Sequence, residues 1–192
     1  MKLPVADLLA AKDENGVSVD RPPQLRDGVV VNGSAGIEPA DLGADMRAAY
    51  DALSEEQKAV IDPLIAEHDI FWSRAQIGFT EFPTGEREKY PPSRQRLVRR
   101  HPGSGRKCLY LSAHASHIAG WPTADGRLLL HDLSEHATQR QFVYSHKWRQ
   151  GDLVIWDNRD TMHRGRPHDE NHPRDLRRAT TLDVGSTLDE AA

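Results

Sequence analysis

The segment from Gly151 to Gly185 constrains the fold more than any other stretch of the chain. It reads Gly151-Asp152-Leu153-Val154-Ile155-Trp156-Asp157-Asn158-Arg159 and then Thr161-Met162-His163-Arg164-Gly165. After a polar loop it continues as Arg174-Asp175-Leu176-Arg177-Arg178-Ala179-Thr180-Thr181-Leu182. Short apolar and β-branched runs of this kind are strands. The loop between them, with Gly165, Pro167, Asn171 and Pro173, sets His163 and Arg174 at the ends of paired antiparallel strands. Side chains alternate along a strand, so Arg174, Leu176, Arg178 and Thr180 share one face. With Leu176 directed into a barrel, both arginines point inward as well. Two inward guanidinium groups near a histidine require anionic partners, because an unpaired buried charge is very costly. A dicarboxylate meets that need, since a planar guanidinium binds a carboxylate through two parallel hydrogen bonds. The competing reading is a surface ion-pair ladder with Asp175 and Asp183, but alternation sets those aspartates on the opposite face.

The rest of the chain fits around this segment as mostly β structure with helical inserts. Residues 1–36 are punctuated by Asn15-Gly16, Pro22-Pro23, Asp27-Gly28 and Asn32-Gly33, and only Val29-Val30-Val31 suggests a strand. Residues 45–53 read as a helix with Met46, Tyr50 and Leu53 on one face. Ser54 followed by Gln57 is a capping box opening a second helix, whose face carries Val60, Ile61, Leu64 and Ile65 and which Pro63 should kink. Residues 80–93 form a loop. Residues 97–101 and 107–111 form a hairpin around Pro102-Gly103-Ser104-Gly105, and residues 125–139 return to helix with Leu128, Leu129, Leu130 and Leu133 as its core. Strands follow at 142–148, 153–156 and 174–184, with a turn at Gly151-Asp152. Short strands with helices outside them imply a β-sandwich or jelly roll.

Composition excludes several classes. With 25 basic and 29 acidic residues the net charge is −4, against the basic footprint that nucleic acid demands. The local cluster of Arg94, Arg96, Arg99, Arg100, Arg106 and Lys107 reads as a solvated strand and turn. The single cysteine, Cys108, excludes an intramolecular disulfide and sits in an apolar run as a small buried thiol. Residues 1–12 lack the features of a signal peptide, and no apolar stretch is long enough to cross a membrane, so a cytoplasmic location with no membrane partner is expected. There is no Gly-x-Ser-x-Gly elbow, which disfavours a serine hydrolase. His114, His117 and His136 would be candidates for a zinc site by spacing alone, although satisfied structural histidines are the simpler reading.

The run Trp156-Asp157-Asn158-Arg159 with His163, Arg174 and Arg178 resembles the taurine/2,4-dichlorophenoxyacetate dioxygenase family, closest to its phenoxyacetate branch. The likeness extends over 45–184, through Asp45-Met46-Arg47-Ala48-Ala49-Tyr50, His101-Pro102, Ser112-Ala113-His114-Ala115-Ser116-His117 and His136-Ala137-Thr138-Gln139. It implies a double-stranded β-helix, or jelly roll, holding Fe(II) in a facial triad of two histidines and one carboxylate. It also implies oxidative decarboxylation of 2-oxoglutarate to succinate, coupled to hydroxylation of a small anionic substrate, aryloxyacetate- or sulfonate-like. By the same resemblance His163 is the distal metal ligand and a catalytic residue, and Arg174 binds the far carboxylate of 2-oxoglutarate. Arg178 meets an acidic group of the substrate. His114 and His117 bind the substrate, with His117 nearer to it; His136 and His146 also match histidines of this branch.

The chain departs from the family pattern upstream. A His-x-Asp pair is expected ahead of the helix at 45–53, but the first histidine is His68. His68-Asp69 and His131-Asp132 are adjacent pairs, and His168-Asp169-Glu170 lies in the loop after His163. A Gly-Gly-Asp-Thr-like turn is replaced by Glu38-Pro39-Ala40-Asp41-Leu42-Gly43. The expected organisation is therefore a divergent, weakly structured segment at 1–43 and an incomplete dioxygenase β-helix at 44–192, truncated relative to the family. An exposed sheet edge would invite homo-oligomers. Two functions are compatible with this: a dioxygenase whose missing ligands are supplied, or a non-catalytic remnant acting as an anion-binding or interaction protein.

Overall fold

The structure, a computed structural model, describes residues 29–34, 40–149, 151–164, 175–180 and 186–189. In chain order the first elements are β1 (Val29–Ser34), β2 (Ala40–Asp45), α1 (Met46–Asp51), α2 (Glu55–Ile61), β3 (Ile65–His68) and α3 (Ile70–Gln76). Next come α4 (Glu86–Lys89), β4 (Ser93–Arg96), β5 (Val98–Arg100), β6 (Lys107–Leu109), β7 (Ala115–Ile118) and α5 (Thr123–Ala137). A 3-10 turn (Arg140–Phe142) leads into β8 (Val143–Lys147), β9 (Asp152–Trp156), β10 (Thr161–Arg164) and β11 (Asp175–Thr180), and a last 3-10 turn spans Thr187–Asp189. The chain divides into two compact units, one made of 1–42, 145–159 and 164–184, the other of 43–144, 160–163 and 185–192.

In the first unit, β1 lies between β11 and β9 and is antiparallel to both. Val31 stands opposite Arg178 on one side and Val154 on the other. The expected Val29–Val31 strand is therefore real and runs to Ser34, because a central strand satisfies both rows of backbone hydrogen bonds. Trp148 packs with Val154 and Trp156 in a small cluster of its own. The expected turn at Gly151-Asp152 is present. Gly151 adopts φ 85°, and Asp152 accepts from the backbone N–H of Arg149 at 2.9 Å and pairs with His146 Nε2 at 3.1 Å.

The second unit holds the main core, including Met46, Ala49, Leu53, Ile61, Leu97, Cys108, Leu109, Ile118, Leu130 and Leu133. Cys108 is fully buried, as its apolar surroundings require. The capping box forms in full: Gln57 N–H donates to Ser54 Oγ, and the Gln57 side chain accepts from Ser54 N–H. The hairpin β5–β6 has the register Val98↔Leu109, Arg99↔Cys108, Arg100↔Lys107. A second sheet has the order β4-β3-β7, and its outer strand β4 is tied to the C-terminal turn by Arg96 N–H donating to Thr187 Oγ1 at 2.9 Å. Helix α5 lies on β7 so closely that a Cβ on Gly126 would sit 2.8 Å from the backbone nitrogen of Ile118.

Several expectations are corrected. Helix α2 stops at Ile61 instead of continuing through a kink to Ile65; Pro63 has no N–H to donate and its ring blocks the preceding turn. Leu64 instead donates to Ile61 O at 3.0 Å, and the next residues open β3. Val60 is accordingly exposed. Leu128, expected in the core, is 63% exposed, because α5 turns Gly126, Leu130, Leu133 and Ala137 inward. The loop at 80–93 contains the single turn α4 and the start of β4. The arginine cluster is not uniformly solvated: Arg99 is 2% exposed, with its guanidinium 5.2 Å from the Tyr110 ring. Helix α3 and strand β7 were not anticipated. Among the described residues no helix is long and apolar enough to cross a membrane.

Candidate active site

His163 lies near the end of β10, and three features fix that strand within the second unit. Met162 packs against the main core, so alternation turns Thr161 and His163 to the other face. Gly43 lets β2 come close, its Cβ position 3.4 Å from Thr161 Cγ2. Asp160, one residue before β10, is 3% exposed. Its carboxylate takes Arg47 Nη1 at 2.9 Å, and its carbonyl accepts the first N–H of α1 from Met46 at 3.0 Å. Arg47 is shared with Asp45, which caps α1 through the N–H groups of Arg47 and Ala48. Burial pushes the Asp45 carboxyl up, but the hydrogen bonds from Arg47 and Ala48 outweigh it and hold the group below the usual carboxylate range. The side chain of His101 comes within 3.8 Å of the same Asp160 oxygen. His163 itself is exposed.

His114 and His117 flank the sheet β4-β3-β7. His117 stands opposite Glu67 in the pairing of β3 with β7, its Nε2 3.9 Å from Glu67 Oε1 and its Nδ1 3.0 Å from Ser116 Oγ. Glu67 also pairs with Arg94 across β4, so Arg94, Glu67 and His117 form one row across three strands. His114 Nδ1 lies 2.7 Å from Ser73 Oγ on α3. Burial holds the His114 imidazole below its usual range, the positive charge of Arg74 adds to this, and Asp69 opposes it. His136 Nε2 is bound to the carbonyl of Ala49 at 2.8 Å, a structural contact.

Sequence reasoning missed His68. Its Nδ1 lies 3.0 Å from Ser112 Oγ, which also accepts the N–H of His114 at 3.1 Å. Its Nε2 is buried without a hydrogen-bond partner among the described residues. An unpaired lone pair costs less than an unpaired N–H, which assigns the proton to Nδ1. Burial, with the nearby His114, pushes the imidazole down to about 4.

Arg178 belongs to β11 in the first unit, with its backbone opposite Val31. Arg174 lies outside the described residues. Nearby in that unit, Asp157 and Arg159 form a two-pronged ion pair with contacts of 2.9 and 2.6 Å, and Trp156 Nε1 donates to Asn158 Oδ1 at 2.8 Å. The conspicuous Trp-Asp-Asn-Arg run thus builds its own turn.

Residues 40–180 match the family model described as taurine catabolism dioxygenase TauD, TfdA family. The chain belongs to the TauD/TfdA dioxygenase family. An alpha-ketoglutarate-dependent 2,4-dichlorophenoxyacetate dioxygenase of Cupriavidus pinatubonensis JMP 134 is 55% identical over 139 residues, covering 72% of this chain and 48% of the relative. An (S)-phenoxypropionate/alpha-ketoglutarate-dioxygenase of Sphingobium herbicidovorans is 40% identical, with 68% and 48% covered. Among solved structures, AAD-2 in complex with Mn(II) and N-oxalylglycine superposes with a TM-score of 0.80 at 49% identity, over 84% of this chain and 65% of that one. The chain spans about half the length of the curated relatives it matches, and the matching part is the family's C-terminal portion. The fold is accordingly an incomplete jelly roll: short antiparallel sheets with helical inserts, not closed into a barrel among the described residues.

Among the described residues no group of three histidine, cysteine, aspartate or glutamate side chains could hold a metal ion, so the family's three-donor metal site does not fit the described residues.

Proposed function

We propose that this chain is the arginine-bearing half of an Fe(II)- and 2-oxoglutarate-dependent dioxygenase acting on a small aryloxyalkanoate anion. The observation that carries this reading is the family match over residues 40–180. It is strengthened by the 55% and 40% identities to relatives whose names specify 2,4-dichlorophenoxyacetate and (S)-phenoxypropionate. In this reading His163 is the metal-binding and catalytic residue that β10 presents. Arg174 clamps the far carboxylate of 2-oxoglutarate. Arg178 holds the carboxylate of the substrate. His117 and His114 line the substrate's aromatic end, and both are held by neighbouring serines. Burial favours a neutral His114, which suits contact with an uncharged ring.

The test is binding of the two carboxylates to the metal-free full chain, read by ligand-observed NMR. 2-Oxoglutarate should bind in competition with N-oxalylglycine. Arg174→Gln should weaken it by about tenfold or more, the loss expected from a charge-assisted pair worth roughly 1.5–3 kcal/mol. Arg178→Gln should weaken phenoxyacetate in the same way while leaving 2-oxoglutarate in place. Failure of both acids to bind, or arginine variants that bind them as well as the wild type, would overturn the reading.

A further inference from the structure

Asn32-Gly33 is the dipeptide most favoured where a chain reverses in a tight turn, yet it lies inside β1. The register runs through it on both sides: Asn32 stands opposite Arg177 and Leu153, and Gly33 opposite Leu176 and Asp152. Asparagine and glycine are both poor strand formers. The part of β1 after Val31 is therefore held extended by its neighbours and not by its own preference. An asparagine followed by glycine also carries a chemistry of its own. The glycine nitrogen, with no Cβ beside it, can close a five-membered ring on the asparagine side-chain carbonyl. Ring closure requires that nitrogen to swing round toward Cγ, away from the extended backbone with ψ of about +135°. Pairing opposes this twice, since a strand with a partner on each side also commits its N–H groups to them.

We propose that Asn32-Gly33 is a self-modification site that β1 keeps latent by its pairing, so that the chain deamidates there when β1 leaves the sheet. The Gly33 nitrogen forms a bond to Asn32 Cγ and gives up its proton, and the side-chain amide group departs with that proton as ammonia. Water then opens the cyclic imide at one of its two carbonyls, which leaves aspartate or isoaspartate at position 32. In sum, a carboxamide and water become a carboxylic acid and ammonia, with no oxidant, metal or enzyme taking part. The isoaspartate product inserts one extra carbon into the main chain. Gly33 and Ser34 then fall out of step with β9 and β11, whose ladders need N–H and C=O groups at matched positions. Reaction is thus one-way: a strand that has left the sheet and formed isoaspartate does not regain its register.

The experiment incubates the full chain at mildly alkaline pH and follows position 32 by peptide mapping and mass spectrometry. It is run in native buffer and in denaturing urea, beside a synthetic peptide of residues 28–36. Peptide and urea-unfolded chain should lose the asparagine at the same rate. The folded chain should lose it about tenfold more slowly or slower still, because only the fraction with β1 open reacts. Val31→Pro, which takes a donor out of the ladder, should raise the folded rate toward that of the peptide. Gly33→Ala should slow the reaction in urea, where a methyl now crowds the attacking nitrogen; neither this arm nor the wild-type comparison needs a variant that folds. Three results would overturn the proposal. One is a folded chain that deamidates as fast as the peptide. Another is loss of Asn32 in urea that Gly33→Ala leaves unchanged. The third is an isoaspartate-bearing chain whose amides in β9 and β11 stay as protected as those of the unmodified protein.

Discussion

Acidification should destabilise the second unit through His68. The imidazole is pushed down from 6.5 to about 4 by burial and by its neighbour His114. Its protonation would add an N–H at Nε2, a buried atom with no acceptor among the described residues. In the unfolded chain the same group titrates near 6.5. Between these values the unfolded state binds a proton that the folded state refuses, so stability rises with pH. The contribution is intact above pH 6.5 and is lost progressively as pH falls toward 4. Between pH 7 and pH 5 the linkage amounts to about 2 kcal/mol. Urea unfolding at the two pH values measures it, with His68→Asn as the comparison. The asparagine amide sits near Nδ1 and still donates to Ser112 Oγ, but it does not titrate. The variant is expected to lose about 2 kcal/mol less than the wild type on going from pH 7 to pH 5. The carboxylates titrate in both proteins and cancel in the comparison. An equal loss in the two proteins would refute the claim that His68 is held neutral.

Other perturbations probe the remaining supports. Asp160→Asn should cost about 2–3 kcal/mol in urea unfolding, less than for a wholly buried pair because Arg47 is 29% exposed and keeps Asp45. Combining it with Arg47→Gln should cost less than the sum of the two single changes, and strict additivity would argue that the ion pair does not couple α1 to β10. Gly126→Ala should lower stability by about 1–2 kcal/mol despite alanine's better helix propensity, because the new methyl would press on the backbone of β7; a variant as stable as wild type would mean α5 can lift away. Val31→Pro removes a donor from the centre of β11-β1-β9 and should cost about 3 kcal/mol or more. Hydrogen exchange should then show lost amide protection in β9 and β11, whereas unchanged protection there would argue that β1 is not the central strand.

What could be read from the sequence was local. The Ser54–Gln57 capping box, the hairpin around residues 102–105 and the turn at Gly151 each depend on a few adjacent residues whose dihedrals and hydrogen bonds are set by type. Helix α3 carried a readable signal that was passed over: Asp69 caps it by accepting from Phe71 N–H at 2.7 Å, as an aspartate ahead of an apolar run should. Strand β7 had no such signal, since Ala115-Ser116-His117-Ile118 becomes a strand only by pairing with β3. The same division runs through the site. His163, Arg174 and Arg178 stand out in the sequence because an imidazole and two arginines four residues apart recur in the family pattern. His68 does not, because its properties come from Ser112, forty-four residues away, and from burial.

Strand β1 shows how little identity a sheet position requires. It lies ahead of the family match, which begins at residue 40, yet it pairs in continuous antiparallel register with both β9 and β11. A central strand is asked mainly for backbone donors and acceptors in step, with β-branched residues that favour extended dihedrals, and Val29-Val30-Val31 answers that demand. A sheet position can therefore be held by residues outside the family match, because pairing asks for backbone groups in step more than for particular side chains.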